Sequence, residues 1–242
     1  MGERTRPQRD PAAMIAALYV ETNGAYFDLP GVDPWDEPRD ARRYAGPYPV
    51  VAHPPCKRWG RYWSGGPSAK VRRKLGDDGG CFAHALAAVF LYGGVIEHPE
   101  ASHAFRVFGL GRPLRGAGWQ PSPVGGWICC VEQGHYGHRA RKATWLYVRG
   151  CDRSDLPDLN WTPGSGKVRL DPGFHSAAER AAAPAMVKKQ PRLSAAERLG
   201  TPAPFRDILI AMAMHCDITP ERDLPPAVLA WWESQQGEVS GG

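Results

Sequence analysis

Residues 49–56 read Pro-Val-Val-Ala-His-Pro-Pro-Cys, and the fold turns on how this stretch is taken. The apolar run Val50-Val51-Ala52 stops abruptly at His53-Pro54-Pro55-Cys56. Proline disfavours helical dihedrals in the residue before it, so the run reads as a buried strand feeding a rigid loop. The proline pair fixes the backbone ahead of Cys56, so that its thiol projects from the sheet edge. Downstream, residues 81–92 (CFAHALAAVFLY) read as a largely buried helix closed by Gly93-Gly94. Val95-Ile96-Glu97 follows as a strand and stops at His98-Pro99. Strand, helix and strand, with polar residues at the strand ends, predict an α/β domain on a mostly parallel sheet. Such sheets take their ligands at the carboxyl ends of the strands.

Working outward, residues 14–21 (MIAALYVE) read as a first buried strand followed by a Gly-bearing turn, with a second extended piece at 31–35. Residues 144–148 (TWLYV) form a further strand, and 205–214 (FRDILIAMAM) a closing helix that packs on the sheet. Ser176-x-x-Glu179 and Ser194-x-x-Glu197 match capping boxes and mark helix starts. The expected organisation is a loose basic tail at 1–12, an α/β domain over 13–150 and 191–216, and a C-terminal extension at 217–242 with a frayed end. Residues 151–190, rich in Asp, Pro, Gly and Ser, make a small irregular insertion.

Composition narrows the class. The 28 Gly and 24 Pro among 242 residues exclude a coiled coil or a bundle of long helices. No apolar run approaches the roughly 20 residues that span a bilayer. The apolar stretch at 11–20 lacks a small-x-small cleavage site and reads as a strand rather than a leader. Six scattered cysteines without a spaced partner pair argue against a zinc site and for a reduced, cytoplasmic protein.

The chemistry gathers at strand ends. Seven basic residues (Lys57, Arg58, Arg61, Lys70, Arg72, Arg73, Lys74) and no acid lie between 57 and 74. Positive neighbours favour the thiolate form of Cys56, which is the nucleophile. Trp59, Tyr62 and Trp63 interleave with these charges, and cations for phosphates beside aromatic faces for bases suit a nucleic-acid groove. Lys57, Arg58, Trp59 and Arg61 are the candidate contacts there. The segment 133–149 is also free of acids after Glu132 and carries Arg139, Arg141, Lys142 and Arg149. A formal net charge of +5 is compatible with a polyanionic partner.

The order Pro54-Pro55-Cys56, then Glu97-His98-Pro99 after an apolar strand, then Tyr136-Gly137 and a basic segment before another strand resembles the cytosine C5 DNA methyltransferases. Closest are the short phage- and prophage-encoded proteins of that type. The resemblance implies a Rossmann-like methyltransferase sheet and a cytosine flipped out of DNA, with RNA as the other possible substrate. It implies that Cys56 adds to C6 of the base, that Glu97 holds N3 and the amino group, and that the activated C5 attacks the methyl of S-adenosylmethionine. Arg139, Arg141 and Lys142 would hold the catalytic loop or phosphates, with Thr144 beside them on the nucleic-acid side. Glu21, Gly24, Asp33, Asp40 and Pro54 fall where that family meets its cofactor. Thr201-Pro202-x-Pro204-Phe205 resembles its closing motif.

The chain also departs from the pattern. Its first turn has one Gly instead of a Gly-rich run, and only 35 residues separate Glu21 from Cys56, too few for a first helix and a full second βα unit. The cofactor half is therefore expected to be shortened. Arg139-Ala140-Arg141-Lys142-Ala143-Thr144 replaces the Gln-x-Arg-x-Arg motif, with Lys142 and Thr144 standing in for arginines. The 151–190 insertion is short for a target-recognition region. Three classes follow: an enzyme modifying cytosine at C5, with S-adenosylmethionine or another donor; a DNA-binding protein on the same fold without catalysis; or a thiol enzyme unrelated to nucleic acid, which the basic-aromatic stretch disfavours.

Overall fold

The computed structural model describes residues 15–65, 73–164, 168, 170, 177–185, 191, 193–217 and 224–230. The expected basic tail, Lys70, Arg72, Ser176 and the end of the chain lie outside these. Seven strands of the described residues form one sheet: β1 (Ile15–Leu18), β2 (Val32–Trp35), β3 (Val50–Ala52), β4 (Gly94–Pro99), β5 (Gln120–Pro121), β6 (Trp127–Glu132) and β7 (Ala143–Arg149). Their order across the sheet is β2-β1-β3-β4-β7-β6-β5.

The first four strands pair in parallel. The β4–β7, β6–β7 and β5–β6 pairs are antiparallel. The sheet is thus mixed, not mostly parallel as the sequence suggested, and the connections explain why. A parallel return needs a crossover long enough to recross the sheet. The helix α1 (Cys81–Tyr92) supplies one between β3 and β4, whereas β6 and β7 are joined by the short segment 133–142, which only reverses the chain. No helix occurs at 19–31, between β1 and β2.

Side chains alternate across the strands, and each face has its own core. Ala16, Leu18, Val50, Ala52, Ile96 and Tyr147 pack with Phe82, Leu86 and Phe90 of α1. Ile15, Ala17, Val51, Val95, Leu146 and Val148 pack with Phe205, Leu209 and Met212 of the closing helix, which spans Ala203–Met214. Shorter helices include α2 (His103–Val107), α3 (Ala177–Ala182) and α4 (Ala195–Leu199), which makes the closing helix α5. At the end of α1, Gly94 (φ +128°) lies so close to β3 that a Cβ there would sit 2.0 Å from the Val50 carbonyl oxygen. Only glycine lets β4 enter the sheet at this point.

Candidate active site

The chain runs from β1 outward to β2 and returns to place β3 on the other side of β1. The crevice outside the carboxyl ends of strands flanking such a reversal is the usual ligand position in α/β sheets. His53-Pro54-Pro55-Cys56 leaves β3 there, and Glu97 lies in the last, carboxyl-terminal half of neighbouring β4, just before the buried His98. His53 N donates to the Leu18 carbonyl (3.0 Å), which extends the β1–β3 pairing by one residue. After the prolines the chain turns sharply, and Trp59 N and Gly60 N both donate to the Cys56 carbonyl.

Glu97 is buried, with one side-chain partner on each oxygen. His53 Nδ1 lies 3.0 Å from its Oε2, and Gln133 Nε2 donates to its Oε1 at 2.9 Å. The same Gln133 nitrogen is 2.9 Å from Thr144 Oγ1, which in turn donates to the Lys142 carbonyl (3.0 Å). On the far side of His53, Nε2 meets the Tyr26 hydroxyl at 2.8 Å. Side chains from the β1–β2 segment, the end of β3, β4, the end of β6 and the start of β7 thus form one connected network. Burial opposes ionisation of Glu97. The His53 hydrogen bond and the Lys142 charge outweigh it, and the carboxyl titrates at about 2.

Cys56 is half-buried beside this carboxylate. Burial pushes its thiol pKa up, Glu97 pushes it further, and the Lys142 ammonium opposes both. Among the described residues, the charge that favours the thiolate is Lys142, and none of the described basic residues of 57–74 acts on it. Lys142 is held for this role by its backbone (φ +39°) and by donation to the Leu199 and Gly200 carbonyls at 3.2 and 2.8 Å. Burial lowers its own pKa, while Glu97 and Cys56 raise it.

The remaining predicted residues separate into groups. Trp59 is a core residue: its indole donates to Asp78 Oδ2 (2.7 Å) and its ring packs against Phe82 and Phe108. Asp78 also accepts from Gly80 N and Phe82 N, so the residue that caps α1 draws Trp59 inward, away from any base-stacking position. Lys57 and Arg61 are exposed, and Arg58 is half-buried. Thr144 is fully buried inside the Glu97 network and cannot face nucleic acid. Arg139 is exposed and pairs with Glu197. Arg141 turns to Glu132, which also meets Arg115 and accepts from Gly164 N (2.7 Å). These groups line a cleft with Asn160, Trp161 and Thr162 at the end of β6. Of the three basic residues expected at the catalytic loop, only Lys142 reaches Cys56 and Glu97.

The five residues assigned to the cofactor do not come together as a set. Asp33 is tied to Arg39 and accepts from the Trp35 indole, and Asp40 pairs with Arg42 while capping the turn at Ala41–Arg43. Glu21 is exposed; Gly24 serves the turn, where a Cβ would sit 2.7 Å from the Glu21 carbonyl oxygen. Pro54 is buried, and its carbonyl acts on the fully buried His98. The acid at the carboxyl end of β2 is instead Asp36, which accepts the Thr22 hydroxyl at 2.8 Å and the Arg39 N–H at 3.1 Å. Sequence reasoning missed Asp36, Tyr26 and Gln133, and noted His53 at the strand end without giving it a role. Asp36 follows directly on Trp35, so the strand boundary would have singled it out. Nothing local marks Tyr26 or Gln133.

Comparison with family models, curated proteins and solved structures found no match. Among the described residues no helix is long and apolar enough to cross a membrane, and no group of three His, Cys, Asp or Glu side chains is placed to hold a metal ion.

Proposed function

We propose that this protein modifies cytosine in DNA at C5, with Cys56 as the nucleophile. The reading rests on one observation: Cys56 beyond the end of β3, Glu97 in neighbouring β4 and Lys142 just ahead of β7 lie close enough to act on one another electrostatically. A stacked base is out of reach of a side-chain nucleophile, so the target is extruded from the duplex. The Cys56 sulfur adds to C6 as the C5–C6 π pair moves to C5; C5 would then take the donor's electrophilic carbon, and loss of the C5 proton to water with expulsion of the Cys56 thiolate from C6 would restore the ring. Each Glu97 oxygen meets one side chain, Gln133 Nε2 at Oε1 and His53 Nδ1 at Oε2, and has a second lone-pair direction free. The carboxylate can therefore accept from the cytosine amino group without giving up His53 or Gln133. Lys142 offsets the thiolate charge before the attack.

The donor called for by the resemblance is S-adenosylmethionine, which supplies an electrophilic methyl when bound. The carboxylate and hydroxyl of Asp36 and Thr22 suit the vicinal hydroxyls of its ribose, in the crevice beside β1, better than Asp33 or Asp40 do. A DNA-binding role without catalysis is the second reading. What favours it is the loss of Asp33 and Asp40 to arginine pairs.

Incubation of the purified protein and DNA with methyl-labelled S-adenosylmethionine separates the two readings. Catalysis predicts label in DNA with wild type and none with Cys56→Ala. Protein that binds DNA and transfers no label supports the second reading, or a different donor.

A further inference from the structure

Tyr26 and His53 carry no role in the reaction outlined above, yet they form the outer part of the Glu97 network. Tyr26 is almost fully buried, and its pKa is raised well above the usual value by burial and then by Glu97. Its hydroxyl therefore keeps its proton and is free to donate it. The groups around the pair are Arg206 and Asp207 of α5 on the Tyr26 side, with Lys142 and His98 acting on Glu97. A neutral imidazole carries one proton, and the hydrogen bond made by one ring nitrogen decides which nitrogen holds it.

We infer that Tyr26 and His53 are positioning residues for Glu97. The Tyr26 hydroxyl donates to His53 Nε2, so the imidazole proton resides on Nδ1 and is donated to Glu97 Oε2. This clamps one edge of the carboxylate while Gln133 clamps the other, and the remaining lone pairs are presented to the base. Without Tyr26, the proton could move to Nε2. His53 Nδ1 would then turn a lone pair toward the carboxylate, and the two acceptors would repel each other. The inference deepens the proposed cytosine chemistry and rests on it for its catalytic consequence. Its structural half stands independently.

Two measurements keep these halves apart. Nitrogen-15 NMR of labelled histidine, recorded at alkaline pH, reports the His53 tautomer, with His53→Asn used to assign the signal. The Nδ1–H form in wild type and a mixture in Tyr26→Phe are expected. The Nε2–H form in wild type, or no change in Tyr26→Phe, overturns the inference. The second measurement is the yield of modified deoxycytidine in DNA of expressing cells. Tyr26→Phe should lower it about tenfold with DNA affinity unchanged, the scale expected when a reacting group is misplaced. In a His53→Asn background, where the amide N–H replaces Nδ1–H without needing Tyr26, the same change should cost nothing more. Equal yields from wild type and Tyr26→Phe, or a full additive loss in the double variant, overturn the positioning role. If wild type yields no modified cytosine, the proposed chemistry fails and the catalytic half of the inference fails with it, whatever the tautomer.

Discussion

Removing the Lys142 ammonium would leave burial and Glu97 acting together against ionisation of Cys56. Lys142→Met should therefore raise the thiol pKa, so that alkylation of Cys56 by iodoacetamide at fixed pH slows. Neutralising the exposed Lys57 and Arg61 should leave that rate almost unchanged, because neither is among the charges that act on the thiol. Thiol alkylation followed by peptide mass spectrometry compares the three. That Cys56 and Glu97 both lie toward strand ends was legible because each follows an apolar run, whereas their pairing was what the family resemblance implied. The choice of cation was not. It depends on the left-handed turn at Lys142 and on carbonyls from residues 199 and 200, which are distant in the chain.

At the scale of elements, the short helix α4 matters because its end supplies those carbonyls. Ser194 and Glu197 form a reciprocal capping box at its start, as the sequence pattern indicated. Ser194→Ala should cost about 1 kcal/mol of stability and loosen Lys142, giving slower Cys56 alkylation without a change in overall fold by circular dichroism. Phe205 of α5 is fully buried against the sheet, and Phe205→Ala should cost about 3–5 kcal/mol in urea unfolding. Elements with strong local signals were legible: α1 lies within its expected bounds, closed by Gly93, and β3 ends where the prolines begin. The strand β6 was not foreseen. Trp127-Ile128-Cys129-Cys130-Val131 is apolar almost throughout, because both of its faces are covered, and it lacks the alternation that announces a half-exposed strand.

For the whole molecule, acid sensitivity follows from buried histidines. Burial lowers His84 and His98 to about 4, although the Tyr44 carbonyl bonded to His84 and the Glu97 charge near His98 oppose the shift. Depressed pKa values mean that the unfolded chain takes up protons first. Their stabilising contribution is complete above about pH 6.5 and is lost as pH falls toward 4, up to about 3 kcal/mol for each group. Glu97 has a folded value of about 2 against an ordinary 4.5, so it adds a loss of the same sign over the lower window. Urea midpoints across pH 8 to 4 should fall, and His84→Gln should flatten the upper part of the curve. The mixed sheet belongs to this scale too. The α/β class was readable from strand and helix order, but strand direction depends on whether each connection recrosses the sheet, and the sequence of 133–142 did not reveal that it merely turns back.

The central claim is that Cys56 is the nucleophile of a cytosine C5 modification. Mass spectrometry of nucleosides from the DNA of cells expressing the protein tests it most directly, since the cell supplies the donor whatever its identity. A C5-substituted deoxycytidine is expected in DNA from cells making the wild-type protein, and none with Cys56→Ala. Identical cytosine derivatives from both, with both proteins folded and expressed, would contradict it.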